Sequence, residues 1–513
     1  MTVEKLKPNY RDIGNRKWWA IGAISLAAIA FSLDLTVLNL ALPTLSNSLH
    51  ATSNQLQWIV DAYALVLGVL TLPAGLLGDK YGRKKFLLIA LAIFGIGSLL
   101  CAYSHSVNIL IASRVLLGIG AAFILPLAFS VLSVFFDDKI RPKAIAVLMG
   151  GVFAAYPLGP IIGGFLLTHY WWGSVFLINI PIVLIALIAV AILLPESRNP
   201  VRHKLDFIGV ALSSIGLTGI TYGAIQAESK GWSNDQIVGS LLIGAVLLVL
   251  FVLWEKRKAR QKQEPLVDLT LFKSKRFTWG TLLMTSVNFS LFGLLFTLPQ
   301  YLEDVQGKNA MQTGYYLLPM IGGLVIGSVV ISKLATKIGA KLAVAIGFAF
   351  MAVGLVLGTR TTLSVSDMYI ILWTGVIGLG LGFAMPSAAD AALGALSPEK
   401  SGVGSALVTA IRQVGGTLGV AILGTILGTS YRNKLVLSGL PHQVAETIRG
   451  SVTAGVAVAH KLASPKLLHI ISTAFVHSMD IMLWVCGGIA ICAVILALVF
   501  LPNKYTKTGE KSN

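Results

Sequence analysis

The stretch Gly78-Asp79-Lys80-Tyr81-Gly82-Arg83-Lys84-Lys85-Phe86 lies between two long apolar runs and carries four cations and one acid. A degraded copy, Ala335-Thr336-Lys337-Ile338-Gly339-Ala340-Lys341, follows 257 residues later, measured from Gly82 to Gly339 (339 − 82 = 257). A basic loop that recurs at half the length of the chain predicts two similar halves. It also predicts that both halves place this loop on the basic side of a membrane.

The composition excludes an ordinary soluble protein. The chain has 513 residues, of which 55% are hydrophobic and 12% charged, and one soluble core could not bury that much apolar surface. The net charge of +18 suggests nucleic-acid binding, but we exclude that class because the cations lie in loops between apolar runs. The cysteines and histidines show no metal spacing, and no cofactor is expected. We therefore predict an all-α polytopic membrane protein.

The apolar runs predict the number of membrane spans. A helix needs about 20 residues to cross the hydrocarbon core, and open strands would leave backbone groups unpaired in lipid. Fourteen runs meet this requirement, near residues 18–44, 54–78, 85–103, 107–136, 142–168, 172–195, 206–227, 236–254, 276–302, 311–333, 340–359, 366–396, 402–430 and 479–501.

The cations orient these spans. With both termini in the cytoplasm, 30 of the 40 Lys and Arg residues lie inside and 8 outside, while two lie within spans. The positive-inside rule therefore places both termini in the cytoplasm of a cell-membrane protein. The cytoplasmic loop 255–275 carries seven of these cations, and we expect it to contact anionic lipid headgroups.

The repeat extends beyond the loop. Span 4 reads Arg114-Val-Leu-Leu-Gly-Ile-Gly-Ala-Ala-Phe-Ile-Leu-Pro126, and span 12 repeats both glycines, the Phe and the Pro at an offset of 260 residues. Two six-helix repeats with two inserted helices are thus predicted, an arrangement typical of transporters. The predicted segments are a tail 1–17, the first repeat 18–195, the insertion 196–275, the second repeat 276–501 with an extracellular loop 431–478, and a tail 502–513.

Five motifs in order resemble the major facilitator superfamily, and specifically its fourteen-span drug:H⁺ antiporters. They are the loop 78–86, the span 4 motif from Arg114, the span 5 motif 151–164 that marks exporters, the span 1 motif 33–43, and the opening of span 2 (57–63). The resemblance implies a monomeric, proton-coupled exporter of amphipathic, cationic drugs or antiseptics. Midspan Gly322-Gly323 and Arg412-Gln413 stand where exporters of dications carry extra acids, which argues against a preference for dications.

Ionisable groups inside spans are usually functional. Asp34, Asp61 and Arg114 lie at similar depth in the outer half of the first repeat, as the rise of about 1.5 Å per helical residue indicates. A buried acid near an arginine can bind and release a proton near neutral pH, so we assign proton coupling to these three residues. The alternative is a static ion pair that only joins spans. Asp390 lies near the cytoplasmic end of span 12, where an interfacial role and a coupling role are equally open. Arg412 in span 13 could bind an anionic substrate or pair with an acid across the halves.

Two further features predict conformational elements. We expect the basic loop to act as a cytoplasmic latch, in which an Arg pairs with acids at the end of span 4; the residues are Asp79, Gly82, Arg83, Asp137 and Asp138. The glycines of span 5 would permit close helix approach, and its prolines would weaken the helix. This seam consists of Gly151, Pro157, Gly159, Pro160, Gly163 and Gly164.

Aromatic and charged residues in the spans predict a substrate cavity. The candidates are Phe31, Asp34, Trp58, Asp61, Tyr63, Tyr156, Phe292 and Arg412. An exporter of one endogenous metabolite, lipid or peptide fits the same pattern and stays an alternative. A membrane enzyme or a channel fits less well, because no hydrolase or phosphate-binding motif is present and a channel needs no two-half repeat with buried acids.

Overall fold

A computed structural model describes residues 16–135, 148, 151, 155, 158–159, 161–197, 206–261, 265, 267, 269–394, 401–437 and 440–502. Within these ranges every regular element is a helix, which confirms the all-α prediction. The helices are α1 (Arg16–Leu49), α2 (Ser53–Tyr81), α3 (Arg83–Ala102), α4 (Val107–Phe135), α5 (161–169), α6 (Ser174–Leu177), α7 (Asn179–Leu193), α8 (Phe207–Lys230), α9 (Asp235–Arg260), α10 (Lys275–Gln300), α11 (Ala310–Gly358), α12 (Asp367–Leu393), α13 (Ser401–Lys434), α14 (His442–Gly450), α15 (Val452–Lys461) and α16 (Pro465–Phe500).

Twelve helical segments of the described ranges are long and apolar enough to cross a membrane. The other two predicted spans correspond to α2 and to the segment 142–168, much of which lies outside the described residues. The total of fourteen spans therefore stays a prediction. The predicted spans 311–333 and 340–359 both lie in α11, which is interrupted at Gly339 by non-helical backbone angles.

Side-chain caps fix where several helices begin. The Thr52 hydroxyl accepts from the Gln55 backbone N–H, and the Gln55 side chain accepts from the Thr52 N–H at 3.0 Å. This capping box satisfies two of the donors that a helix leaves open at its start. Ser274 and Ser464 cap α10 and α16 through the backbone N–H three residues later.

The contacts divide the chain into two compact units. The first contains Met1–Gly223, Asp235–Leu266 and Asn309–Gly314, and the second contains Ala224–Asn234, Val267–Lys308 and Tyr315–Asn513. In the first unit α4 packs on α2 and α3. In the second unit α10 packs on α12, α13 and α16.

The repeated span 4 motif has the same internal packing in each unit. A Cβ on Gly118 would lie 3.0 Å from the Tyr63 carbonyl on α2, and one on Gly120 would lie 2.6 Å from the Phe94 nitrogen on α3. In the second unit, a Cβ on Gly378 would overlap the Met320 carbonyl, and one on Gly380 would lie 2.6 Å from the Gly347 carbonyl. Each glycine pair therefore lets one helix contact the two preceding spans at backbone distance.

In both copies of the basic loop, the chain turns at a glycine with a positive φ angle. Gly82, between α2 and α3, has φ 123°, and Gly339, inside α11, has φ 81°. Both angles lie in the region that residues with a Cβ rarely adopt. The turn that joins two spans is therefore retained in both halves.

The segment 431–478 differs from the expected surface loop. It contains the end of α13, the short helices α14 and α15, and the first 14 residues of α16 (465–478). The helix α15 packs on α14 and α16. The Thr453 hydroxyl donates to Asp304 Oδ2 at 2.6 Å, and the Tyr431 hydroxyl donates to the Ile448 carbonyl at 3.1 Å. The first contact joins the segment to the helical turn Tyr301–Val305 that follows α10, and the second joins α13 to α14 within the segment.

Candidate functional site

A buried ion pair joins α1 and α4. The Arg114 guanidinium lies 2.7 Å from Asp34 Oδ2, and each side chain is only 1% exposed. Arg114 Nε also donates to the Ile59 carbonyl at 3.0 Å, which connects the pair to α2. Because removal of one partner from such a pair leaves an uncompensated buried charge, the two residues depend on each other.

Tyr63 completes the surroundings of this arginine. The guanidinium carbon of Arg114 lies 4.2 Å from the centre of the Tyr63 ring, within cation–π range. Gly118 makes this contact possible, because it lets α4 approach the Tyr63 backbone. The structure thus brings together Asp34, Tyr63 and Arg114, three of the residues selected from the sequence.

Two polar residues that the sequence reasoning missed also belong to the cluster. Asn179, the first residue of α7, has no exposed surface. Its Nδ2 donates to Asp34 Oδ1 at 3.3 Å and to the Ser98 hydroxyl on α3 at 3.2 Å. The sequence does carry a signal for Asn179, since its amide side chain lies inside an otherwise apolar span. The Asp34 carboxylate therefore accepts from two different helices.

Asp61 does not share these partners. It is fully buried on α2, and neither carboxylate oxygen has a hydrogen-bond partner among the described residues. An ionised carboxylate without partners in apolar surroundings is far less stable than the neutral acid. Asp61 is thus an isolated acid, whereas Asp34 is a paired one.

The glycines of span 5 lie against α1 on either side of Asp34. A Cβ on Gly159 would overlap the Thr36 hydroxyl, and one on Gly163 would lie 3.0 Å from a methyl group of Val37. Gly151 lies nearer the start of α1, 3.4 Å from Ile29 by the same measure. The remaining glycine, Gly164, lies against the Met311 backbone, while Pro157 and Pro160 are outside the described residues.

The basic loop has partners other than the predicted ones. Arg83 Nε donates to the Ser130 hydroxyl of α4 at 2.6 Å. The Glu196 carboxylate, which the sequence reasoning missed, accepts from the Lys84 and Lys85 backbone N–H groups at 3.2 and 3.1 Å. A carboxylate here stabilises the positive N-terminus of α3. The predicted acids Asp137 and Asp138 lie outside the described residues, as does the side chain of Asp79.

The remaining cavity candidates fall in both units. In the first, Phe31 is buried on α1, and the Trp58 ring lies 6.2 Å from the Tyr222 ring of α8. In the second, Arg412 Nε is buried with no hydrogen-bond partner among the described residues, and the Arg412 carbonyl accepts from Asn288 at 3.3 Å. Phe292 lies beside Gly416 of α13, and Tyr156 is outside the described residues.

Two other features were considered as sites. A groove of about 730 Å³ lies between α8 and α9, lined mainly by small and hydroxyl side chains such as Ser214, Thr218 and Ser240. No group of three or more His, Cys, Asp or Glu side chains within the described ranges could hold a metal ion. The Asp34 cluster is therefore the candidate site with the clearest chemistry.

Comparison with known proteins finds relatives over most of the chain. A family model described as Major Facilitator Superfamily matches residues 24–420. The tetracenomycin C resistance and export protein of Streptomyces glaucescens is 32% identical, over 94% of this chain and 91% of that protein. The multidrug efflux pump LfrA of Mycolicibacterium smegmatis is 32% identical over 96% of both chains. The methyl viologen resistance protein SmvA of Salmonella typhimurium is 32% identical, over 86% of this chain and 89% of that protein.

Solved structures share the fold. An inward-facing bacterial homologue of the human lysosomal transporter Spinster superposes with a TM-score of 0.66 at 15% identity, covering 96% of this chain and 99% of that one. A D-xylose–proton symporter superposes with a TM-score of 0.62 at 14% identity, covering 95% of this chain and 98% of that one. At such identities the likeness concerns the fold alone.

Proposed function

Because the chain belongs to the major facilitator superfamily, we propose that it exports amphipathic, cationic drugs or antiseptics in exchange for protons. The observation that carries the proposal is the buried Asp34–Arg114 pair, whose 2.7 Å contact lies within apolar spans of the first unit. The names of three relatives, which refer to resistance, export and efflux, support the substrate class.

The pair provides a binding site for the exchanged proton. A guanidinium does not deprotonate in proteins, so Arg114 serves as a fixed positive charge and Asp34 binds the proton. Protonation of Asp34 removes one charge of the pair and weakens its contact with Arg114. The packing of α1 against α4 then depends on the proton, which gives a physical link between proton binding and helix movement.

Asp61 supplies the second part of the exchange. Its isolated carboxyl is more stable as the neutral acid, and a lipophilic cation beside it would replace the proton, because opposite charges attract strongly in low dielectric. Substrate and proton would therefore compete for the same carboxyl. This competition is the simplest form of antiport.

Alternating access would use the two structural elements described above. The span 5 glycines hold that helix against α1, so a change at Asp34 is transmitted to the seam. The basic loop would act as a latch through Arg83 and Glu196 on the cytoplasmic side, with Asp137 and Asp138 as further acids. In this arrangement both termini are cytoplasmic, the protein lies in the cell membrane, and the loop 255–275 contacts anionic lipids.

Drug-driven proton movement in everted vesicles tests the proposal. Asp34→Asn should abolish it while the protein remains inserted, because an amide cannot bind the proton. The control is Asp390→Asn, which removes an exposed acid from α12 and should leave the signal intact. Proton movement by the Asp34→Asn variant equal to that of the parent would rule out Asp34 as the coupling site.

A substrate panel tests the charge of the substrate. The carboxyls of Asp34 and Asp61 favour monovalent quaternary ammonium compounds and dyes, and we expect long dications to be poorer substrates. Better export of dications would contradict this expectation, and exclusive export of anions would exclude the cation hypothesis. Export of one endogenous product remains the second candidate, because one relative is named for the export of a single compound, tetracenomycin C.

A further inference from the structure

Among the described residues, the side-chain amide of Asn179 has hydrogen-bond partners for its nitrogen but none for its oxygen. Its nitrogen donates twice, to Asp34 Oδ1 at 3.3 Å and to Ser98 Oγ at 3.2 Å. Its oxygen is buried and has no hydrogen-bond partner among the described residues. Buried acceptors without a partner are uncommon in native structures, and this one belongs to the side chain that contacts the proposed proton site.

We propose that Asn179 is a positioning residue that serves the Asp34 carboxyl in both protonation states. The amide nitrogen donates to the carboxylate, and the amide oxygen accepts from the carboxylic acid once a proton is bound. The inference rests on the proposed function, because it assumes that Asp34 takes up and releases the transported proton.

The neighbouring groups explain why an amide is suited to this position. Among the described residues, the charged and titratable groups that interact with Asp34 are Arg114 from α4, Tyr63 from α2 and Cys101 from α3. Arg114 has only donors, so it can stabilise the anion but cannot accept from an acid O–H. Asn179, from α7, is the neighbour that already contacts Asp34 Oδ1 and carries an acceptor on the same group.

A rotation about the last side-chain bond exchanges the two ends of the amide. That torsion has a broad, roughly two-fold profile, so the exchange needs no backbone movement. When Asp34 is ionised, the nitrogen faces it; when Asp34 binds a proton from solvent, the oxygen faces the new O–H. In both states the carboxyl retains a hydrogen-bond partner on α7.

Infrared difference spectra between acid and alkaline pH test the inference on the purified full-length protein. The carboxylic-acid band of Asp34 is the one that disappears in Asp34→Asn. In Asn179→Leu this band should move to higher frequency, since the acid loses its hydrogen-bond acceptor. In Asn179→Ser, which keeps both a donor and an acceptor, the band should shift less than in Asn179→Leu.

Proton release on drug addition provides the second readout. Asn179→Leu should slow it by about tenfold, the effect of losing roughly one hydrogen bond to a charged group. Asn39→Leu is the matched control, because Asn39 is also a buried asparagine but its amide donates to the Leu35 carbonyl of its own helix. Asn179→Ala replaces the leucine variant if the latter does not insert.

The outcomes separate the two proposals. If Asp34→Asn abolishes the band and the proton release while the Asn179 variants match the parent in both, the Asn179 inference is overturned and the proton site stands. If Tyr63→Phe shifts the band and Asn179→Leu does not, the acceptor is the tyrosine and the inference is also overturned. If Asp34→Asn changes neither signal, the proposed proton coupling through Asp34 is itself wrong.

Discussion

Replacing Arg114 with Met should destabilise the protein more than replacing Asp34 with Asn. In Arg114→Met the Asp34 carboxylate remains buried and keeps, among the described residues, the hydrogen bond from Asn179 at 3.3 Å. In Asp34→Asn the arginine keeps the Ile59 carbonyl at 3.0 Å and the Tyr63 ring at 4.2 Å. The Asp34 carboxylate in Arg114→Met therefore keeps fewer stabilising contacts than the Arg114 guanidinium keeps in Asp34→Asn.

The size of the effect follows from burial. Breaking a buried ion pair by removing one partner costs about 3–5 kcal/mol. A loss of this size corresponds to roughly 5–10 °C in melting temperature for a unit of about 260 residues. The double variant Asp34→Asn/Arg114→Met removes both charges and should recover much of the loss. The expected order of melting temperature is parent, then the Asp34 variant and the double variant, then the Arg114 variant.

Thermal unfolding of the purified protein in detergent measures this order. A double-mutant cycle then gives the coupling between the two residues. A melting temperature for Arg114→Met within a few degrees of the parent would show that the carboxylate is compensated by some other group. Additive losses in the double variant would show that the 2.7 Å contact contributes no stability of its own.

Three further predictions concern packing, capping and the segment between α13 and α16. Gly120→Ala should lower the free energy of unfolding by about 1–3 kcal/mol, because the new Cβ would lie 2.6 Å from the backbone of α3. Gly22→Ala is the control for the thermal melt and should be neutral, because apart from its own helical turn no atom lies within 4 Å of a Cβ placed there. Glu196→Gln should lower the free energy of unfolding by about 1 kcal/mol and reduce transport, because the carboxylate that caps α3 is lost. If Glu196→Asp, which keeps a carboxylate, restored neither stability nor transport, the capping role would be wrong. Thr453→Val should speed amide exchange in α15, because the hydroxyl that donates to Asp304 at 2.6 Å is removed; unchanged exchange would show that packing alone holds the helix.

Span depth identified the ion pair because helical rise is uniform. Counting residues from the helix ends placed Asp34 and Arg114 at one level, and the structure joins them at 2.7 Å. The same arithmetic placed Asp61 at that level too, yet its carboxyl has no hydrogen-bond partner among the described residues. Depth gives the position along a helix, but the direction in which a side chain points depends on which faces pack together.

The contacts that sequence reasoning missed involve single polar residues and distant chain segments. Asn179 stands alone in its span, and nothing in its neighbours indicates that it reaches α1. Glu196 lies 112 positions from Lys84, whose backbone it caps. The helix α16 begins at Pro465, whereas the sequence predicts a span that begins near 479. Residues 465–478 are less apolar than a membrane span, so their sequence resembles a loop.

The paired glycines Gly82 and Gly339 show which part of the loop the two copies share. Between the copies, the acid at 79 has become Thr336 and the arginine at 83 has become Ala340, while both glycines keep a positive φ. Both copies thus keep the backbone geometry that reverses the chain, while their side chains differ. The second copy retains two lysines, Lys337 and Lys341, but lacks the acid and the arginine, so the latch is proposed for the first half alone.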